Sequence, residues 1–170
     1  MDFQDESPMV QQSSIDGFAT DWHLVHMGSR AVGGVGLAMM EAAAVEPDGR
    51  ISINDLGIWK EEHIPGLRRI VEFVHSEGAA AGIQLGHGGR KSSLAPNFDK
   101  NGIKPLKHLT AEQGAWAVIG PSPIPYGHDY PSPHPMTRDD ISRVRSAYRA
   151  GALRAHEAGF DWIELHAAHG

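Results

Sequence analysis

The chain has 170 residues, 41% hydrophobic and 21% charged, with a formal net charge of −6. That composition fits a soluble globular protein long enough to bury a core, and its mild acidity offers no electrostatic footprint for nucleic acid or anionic lipid. Cysteine is absent, which excludes disulfides, thiolate metal ligands and Cys nucleophiles. No apolar run approaches the roughly 18 residues that span a bilayer, and the acidic opening Met1-Asp2-Phe3-Gln4-Asp5-Glu6 is not expected to act as a signal peptide. A cytoplasmic protein is expected.

Residues 7–20 show no periodicity and contain the loop signal Ser13-Ser14-Ile15-Asp16-Gly17. Asp21 to Val32 reads as a helix, with Leu24, Val25, Met27, Ala31 and Val32 as a partial apolar stripe, Thr20 or Asp21 as its cap and Gly33-Gly34 as its stop. The short apolar run from Gly36 to Val45 reads as a buried strand, and Pro47-Asp48-Gly49 as a turn. Residues 62–77 place Leu67, Ile70, Val71 and Val74 on one helical face, and Gly78 ends that helix. Ala79 to Leu85 is a second strand. The following stretch, 86–136, is rich in Gly, Pro, Asn and Ser and far longer than an ordinary connection, which marks a functional loop region. Within it Thr110-Ala111-Glu112-Gln113 resembles a capping box that starts a short helix. Thr137-Arg138-Asp139-Asp140 opens a longer helix carrying Ile141, Val144, Tyr148, Ala152 and Ala155, which Gly159 stops. Phe160 to His166 is a third strand.

Strands alternating with helices at this spacing imply an α/β fold with parallel strands. A (β/α)₈ barrel and a doubly wound sheet both satisfy the pattern, and periodicity does not choose between them. In either, function collects at the carboxyl ends of strands. Two polar clusters fall there: Gln84-Leu85-Gly86-His87-Gly88-Gly89-Arg90-Lys91 and His166-Ala167-Ala168-His169-Gly170. His23, His26, His63, His75 and His156 fall on helices or helix starts and read as solvated or packing residues, and the methionines as core filler. Gly33-Gly34-Val35-Gly36 follows a helix and opens a strand, the reverse of a dinucleotide loop. His166 and His169 stand at i, i+3 from a strand end, an awkward spacing for a metal pair, so no metal site is assigned to them. Two such imidazoles can instead donate hydrogen bonds to a developing oxyanion. The alternatives that stay open are a metal-dependent barrel hydrolase using His87, His166 and His169, and a non-catalytic half-barrel binding module.

Ser7-Pro8-Met9, Asp16-Gly17, Asp21-Trp22-His23, Ser29-Arg30-Ala31, Glu41-Ala42, Val45-Glu46-Pro47, Gly49-Arg50-Ile51, Asp55-Leu56-Gly57-Ile58-Trp59, Gly82 to Lys91 and Ala158 to Gly170 together resemble the Old Yellow Enzyme family, most closely its short, thermophilic-like bacterial class. The resemblance covers nearly all of residues 7–170. It implies a (β/α)₈ TIM barrel, of which residues 1–170 are expected to be the N-terminal part, truncated at both ends and holding about four βα units. It implies FMN as cofactor, NADPH or NADH as hydride donor, and a small α,β-unsaturated substrate whose activated alkene receives the hydride. The resemblance assigns His166 and His169 to the substrate's carbonyl or nitro oxygen. It assigns Gln84 to the flavin pyrimidine ring, and Ser7, Pro8, Met9, Val10 and Ala42 to the flavin lining. Val10 stands where the family usually has Cys or Thr, and Gln12 where Tyr often follows. The phosphate site and the proton-donating Tyr are implied to lie beyond Gly170, so the segment alone is expected to be inactive. Neither nucleic acid nor membrane is an expected partner, and the full-length form is expected to be a homo-oligomer.

Overall fold

The computed structural model describes residues 7–99, 102–103 and 107–168. Helix α1 spans Asp21–Val32, strand β1 Leu37–Ala44, helix α2 Ile64–Ser76, strand β2 Ala80–Gly86, helix α3 Arg138–Ala158 and strand β3 Trp162–Leu165. The caps are those the sequence implies. Thr20 and His23 form a capping box on α1. Thr137 accepts from the Asp140 N–H at the start of α3, and Gly159 adopts a left-handed φ of 99° at its end. The approach to α2 differs from a helix starting at residue 62: Glu61–His63 is a 3₁₀ turn, and α2 begins one residue before Pro65. Proline needs no N–H partner in a first helical turn.

The main sheet is parallel with order β1-β2-β3, so spatial order follows chain order. One face of it carries Met40, Ala43, Ile83 and Leu85, buried with Met27 and Ala31 of α1, with Leu67, Ile70, Val71 and Val74 of α2, and with Ala155 and Ala158 of α3. All three helices therefore cover the same face. A doubly wound sheet reverses strand order and puts helices on both faces. Sequential order with single-sided cover is the winding of a (β/α)₈ barrel, and this sheet is a sector of one. The face away from the helices carries Met39, Gly82 and Trp162 in one row and Ala42, Gln84 and Glu164 in the next.

The long stretch after β2 is stitched down rather than helical. Leu94 exchanges backbone bonds with Ile51 and Ile53, and Trp116 Nε1 donates to the Asp48 carbonyl at 2.8 Å. The Arg50 guanidinium lies between the Trp59 and Trp116 rings, 5.2 and 5.1 Å from their centroids. Thr110 and Gln113 do form the capping box of a one-turn helix, Ala111–Gln113.

The far edge of β3 pairs with no strand among the described residues. Trp162 and Leu165 are 58% and 62% exposed on it, with Ile141 of α3 also exposed. An unpaired edge flanked by apolar side chains favours association. The 18.4 kDa chain by itself is expected to self-associate. Light scattering after size exclusion checks this, and a monodisperse monomer counts against it.

His63 is fully buried, edge-on to Phe18 and Trp59 at 4.7 and 4.6 Å, with Nε2 donating to the Asp16 carbonyl. Burial pushes its pKa down from 6.5 to about 4. The unfolded chain therefore binds more protons between those values, and stability falls as pH drops through that window, by at most about 3 kcal/mol. Asp55, pushed up by burial to about 6, acts in the opposite sense. The comparison is thus between parent and His63→Gln: urea melts from pH 7 to 4.5 should show a shallower loss in the variant. An identical slope refutes the assignment.

Candidate functional site

Strand alternation decides which side chains meet at the carboxyl end of the sheet. On β2, Ile83 and Leu85 go to the helices, which leaves Gly82, Gln84 and Gly86 on the opposite, inner face. A Cβ added to Gly86 would lie 3.5 Å from the Ala42 Cβ and 3.9 Å from the His166 Cβ, so Ala42 and His166 flank it on that face. Ala42 and Glu164 are the register partners of Gln84 on either side. Gln84 is 9% exposed, and its Nε2 donates to Glu164 Oε1.

Ala42 reaches this face through an irregularity in β1. The register slips between Met40 and Ala42, so Glu41 is an extra residue opposite β2. Glu41 is buried, and its Oε2 accepts the Gln11 N–H at 2.8 Å, while His23 Nε2 sits 3.0 Å from Oε1. The Thr20 N–H donates to His23 Nδ1, which leaves the ring hydrogen on Nε2, the atom 3.4 Å from Ser14 Oγ. Gln11 also holds its own neighbourhood: its Nε2 donates to the Met9 carbonyl and its Oε1 accepts from Trp22 Nε1. The bulge thus ties the N-terminal segment beside the strand position that carries Ala42.

A cavity of about 250 Å³ opens at the strand ends, lined among others by Ala42, Gly86, His87, Lys91, Tyr148 and His166. His87 is held by the Gly89 N–H on Nδ1 at 3.0 Å, and its Nε2 faces Glu46 Oε2 at 3.4 Å. Burial lowers its pKa, and the Glu46 charge opposes that. Among the described residues, Glu46, Asp48 and His87 are the one group spaced for a metal ion, and it does not include His166. Arg143 Nη1 already lies 2.5 Å from Glu46 Oε2 and 3.9 Å from Asp48 Oδ2, so a guanidinium occupies the place a cation would need.

Of the residues expected from sequence, Ala42, Gln84 and His166 share the inner face. Ala42 and His166 line the cavity, and Gln84 lies two residues before Gly86 on the same side. Ser7, Pro8, Met9 and Val10 are not in its lining; Val10 and Pro8 are half-buried, and Met9 is 67% exposed. His169 lies outside the described residues. Glu164, which residue type offers beside His87 as a third metal ligand for the His166 pair, is instead engaged by the Gln84 amide; Glu41, Tyr148 and Arg143 are not among the site residues expected from sequence. Glu41 gave a signal, a carboxylate inside the apolar run Met39-Met40-Glu41-Ala42, because a buried charge needs partners. Arg143 gave none, since a helical arginine usually faces solvent.

The arrangement suits a flat ring. Glycine and alanine keep the floor low at Gly86 and Ala42, an amide stands at one side, and an imidazole at the strand end can donate to an oxygen above it.

The family model described as NADH:flavin oxidoreductase / NADH oxidase matches residues 6–170. An NADPH dehydrogenase of Geobacillus thermodenitrificans is 44% identical over 166 residues, which cover 96% of this chain and 43% of the relative. A protein called NADH:flavin oxidoreductase FG08077 from Gibberella zeae is 42% identical over 168 residues, 96% of this chain and 40% of its own length. Among solved structures, morphinone reductase superposes with a TM-score of 0.79 at 26% identity, over 96% of this chain and 43% of that one. Old Yellow Enzyme from Pichia sp. AKU4542 gives 0.79 at 25% identity, over 98% and 42%. The chain spans less than half the length of these relatives.

Replacing Glu41 by Ala leaves the Gln11 N–H without its acceptor and His23 without its carboxylate neighbour. The expected cost is about 3 kcal/mol, read by denaturant unfolding, with faster amide exchange at Gln11. Unchanged exchange at Gln11 would show that the bulge does not hold the N-terminal segment.

Proposed function

Because the chain belongs to the NADH:flavin oxidoreductase / NADH oxidase family, we propose that the protein holds FMN and moves hydride from NADPH or NADH to the activated alkene of a small α,β-unsaturated substrate. Residues 1–170 are then the N-terminal part of a single FMN-binding barrel. The observation that carries this reading is the shared inner face of Ala42, Gln84, Gly86 and His166 at the strand carboxyl ends.

The residues present fit a flavin. Gly86 and Ala42 leave a low floor on which a flat ring can lie, with the Ala42 and His166 Cβ atoms 3.5 and 3.9 Å from where a Gly86 Cβ would be. The nearly buried Gln84 amide offers both an acceptor and donors, which is what the imide edge of a pyrimidine ring requires. Ser7, Pro8, Met9 and Val10 are assigned to the flavin lining, supported by the Gln11–Glu41 tether that keeps their segment beside Ala42. When bound, FMN supplies the relay that accepts hydride from the nicotinamide and delivers it to the alkene carbon. The chain's own contribution is positioning and charge. His166, with His169 as its proposed companion, donates to the substrate's carbonyl or nitro oxygen and stabilises the negative charge that develops there. Val10 offers that lining no hydrogen bond, where a Cys or Thr would. No helix among the described residues is long and apolar enough to cross a membrane, and we assign the protein to the cytoplasm. A homo-oligomer is the proposed full-length state, and no nucleic-acid or membrane partner is proposed.

The test is made on the full-length protein. It should bind FMN, show a flavin absorption band and reduce an enone with NADPH or NADH. His166→Ala should keep FMN bound and lower the alkene-reducing half-reaction about 100-fold. A protein that takes up no FMN, or a His166→Ala variant that reduces the alkene at the parental rate, defeats the corresponding part of the reading.

A further inference from the structure

Gln84 and Glu164 are register partners on adjacent parallel strands, both on the inner face, and their side chains touch through Gln84 Nε2 and Glu164 Oε1. A primary amide has two chemically opposite ends: an oxygen that only accepts and an NH₂ that only donates. The side chain of a glutamine can present them in either order by turning over. An ionised carboxylate only accepts, so it bonds the NH₂ end and repels the oxygen. Glu164 therefore fixes which way the Gln84 amide faces. With one N–H held by Glu164, the amide has its Oε1 and its second N–H left to offer, as an ordered acceptor–donor pair.

We propose that Glu164 is the positioning residue that orients Gln84 toward the pyrimidine edge of the flavin. This rests on the FMN reading above. An imide edge presents C=O and N–H side by side, and an amide with its oxygen and one N–H free matches it in one order and opposes it in the other. Ala42, on the other side of Gln84 in the same row, has no polar side-chain atom with which to compete for the amide. Glu164 acts through Gln84, and the carboxylate brings a second effect. Reduction adds negative charge to the pyrimidine side of a flavin, and a fixed carboxylate behind Gln84 opposes that charge. Removing it makes the flavin easier to reduce.

The experiment uses the full-length protein loaded with FMN and reads the FMN dissociation constant and the midpoint potential, with circular dichroism to confirm that each variant is folded. Glu164→Gln keeps the size but removes both the charge and the obligate acceptor. It should weaken FMN binding about tenfold, the loss of one charge-assisted hydrogen bond, and shift the potential to less negative values. Glu164→Asp keeps the charge and the acceptor and should stay nearer the parent in both. In a Gln84→Ala background Glu164→Gln should have little further effect on FMN affinity, because the group it orients is gone. A general structural role would instead add its full cost there. Tight FMN binding with unchanged affinity and potential in Glu164→Gln overturns this assignment alone, as does a tenfold loss that persists without Gln84. A parent protein that takes up no FMN overturns the flavin reading and this assignment together.

Discussion

Gln84 and Leu85 are adjacent in the chain, yet one faces away from the helices toward the row of Ala42 and Glu164 and the other is fully buried beneath the helices. That division, repeated along β1, β2 and β3, is what the remaining architecture rests on. The apolar half of each strand has one place to go, under α1, α2 and α3, and burying it there fixes the rotation of every strand. Once the strands are rotated, the other half of their residues must share a face, and at its carboxyl end that face carries the small or polar side chains Ala42, Gln84, Glu164 and His166.

Rotation alone would not bring Ala42 into line with Gln84. A strictly regular β1 with Met40 on the helix side would place residue 41, a glutamate, in the inner row and turn Ala42 toward the helices. The extra residue at Glu41 corrects the phase, so that Met39 and Ala42 both face inward while Met40 and Ala43 both face the helices. The displaced carboxylate is then buried, with Oε2 accepting the Gln11 N–H and Oε1 beside His23. A bulge that re-aims a strand end beside a functional face is a recurrent device. Here it also recruits the N-terminal segment.

The surroundings of the cavity follow a similar economy of charge. Glu46, Asp48 and His87 have the residue types and spacing of a metal site, but Arg143 reaches in from α3 and supplies the positive charge. The effect is to fasten α3 to the loop after β1 beside the cavity. Arg50, between Trp59 and Trp116, fastens the same loop to the long stretch after β2. Both loops meet at the strand carboxyl ends, so a stretch whose described residues form only single helical turns and two-residue strands still holds a defined wall.

The sequence by itself determined the order and type of the main elements, because apolar spacing, Thr137 as a cap, and Gly78 and Gly159 as stops act over a few residues and need no distant partner. It also marked the strand ends carrying Gln84, His87 and His166 as the place for chemistry, and the joint resemblance of its motifs pointed to the family the chain matches. Tertiary structure decided the rest. Single-sided helix cover separated a barrel from a doubly wound sheet, which is a property of how strands stack and leaves no periodicity behind. The bulge at Glu41, the Arg143 contact with Glu46 and the orientation of Gln84 by Glu164 join residues 30, 97 and 80 positions apart. Partners that far apart are chosen by register and packing between elements, and a pattern read along the chain contains no record of that choice.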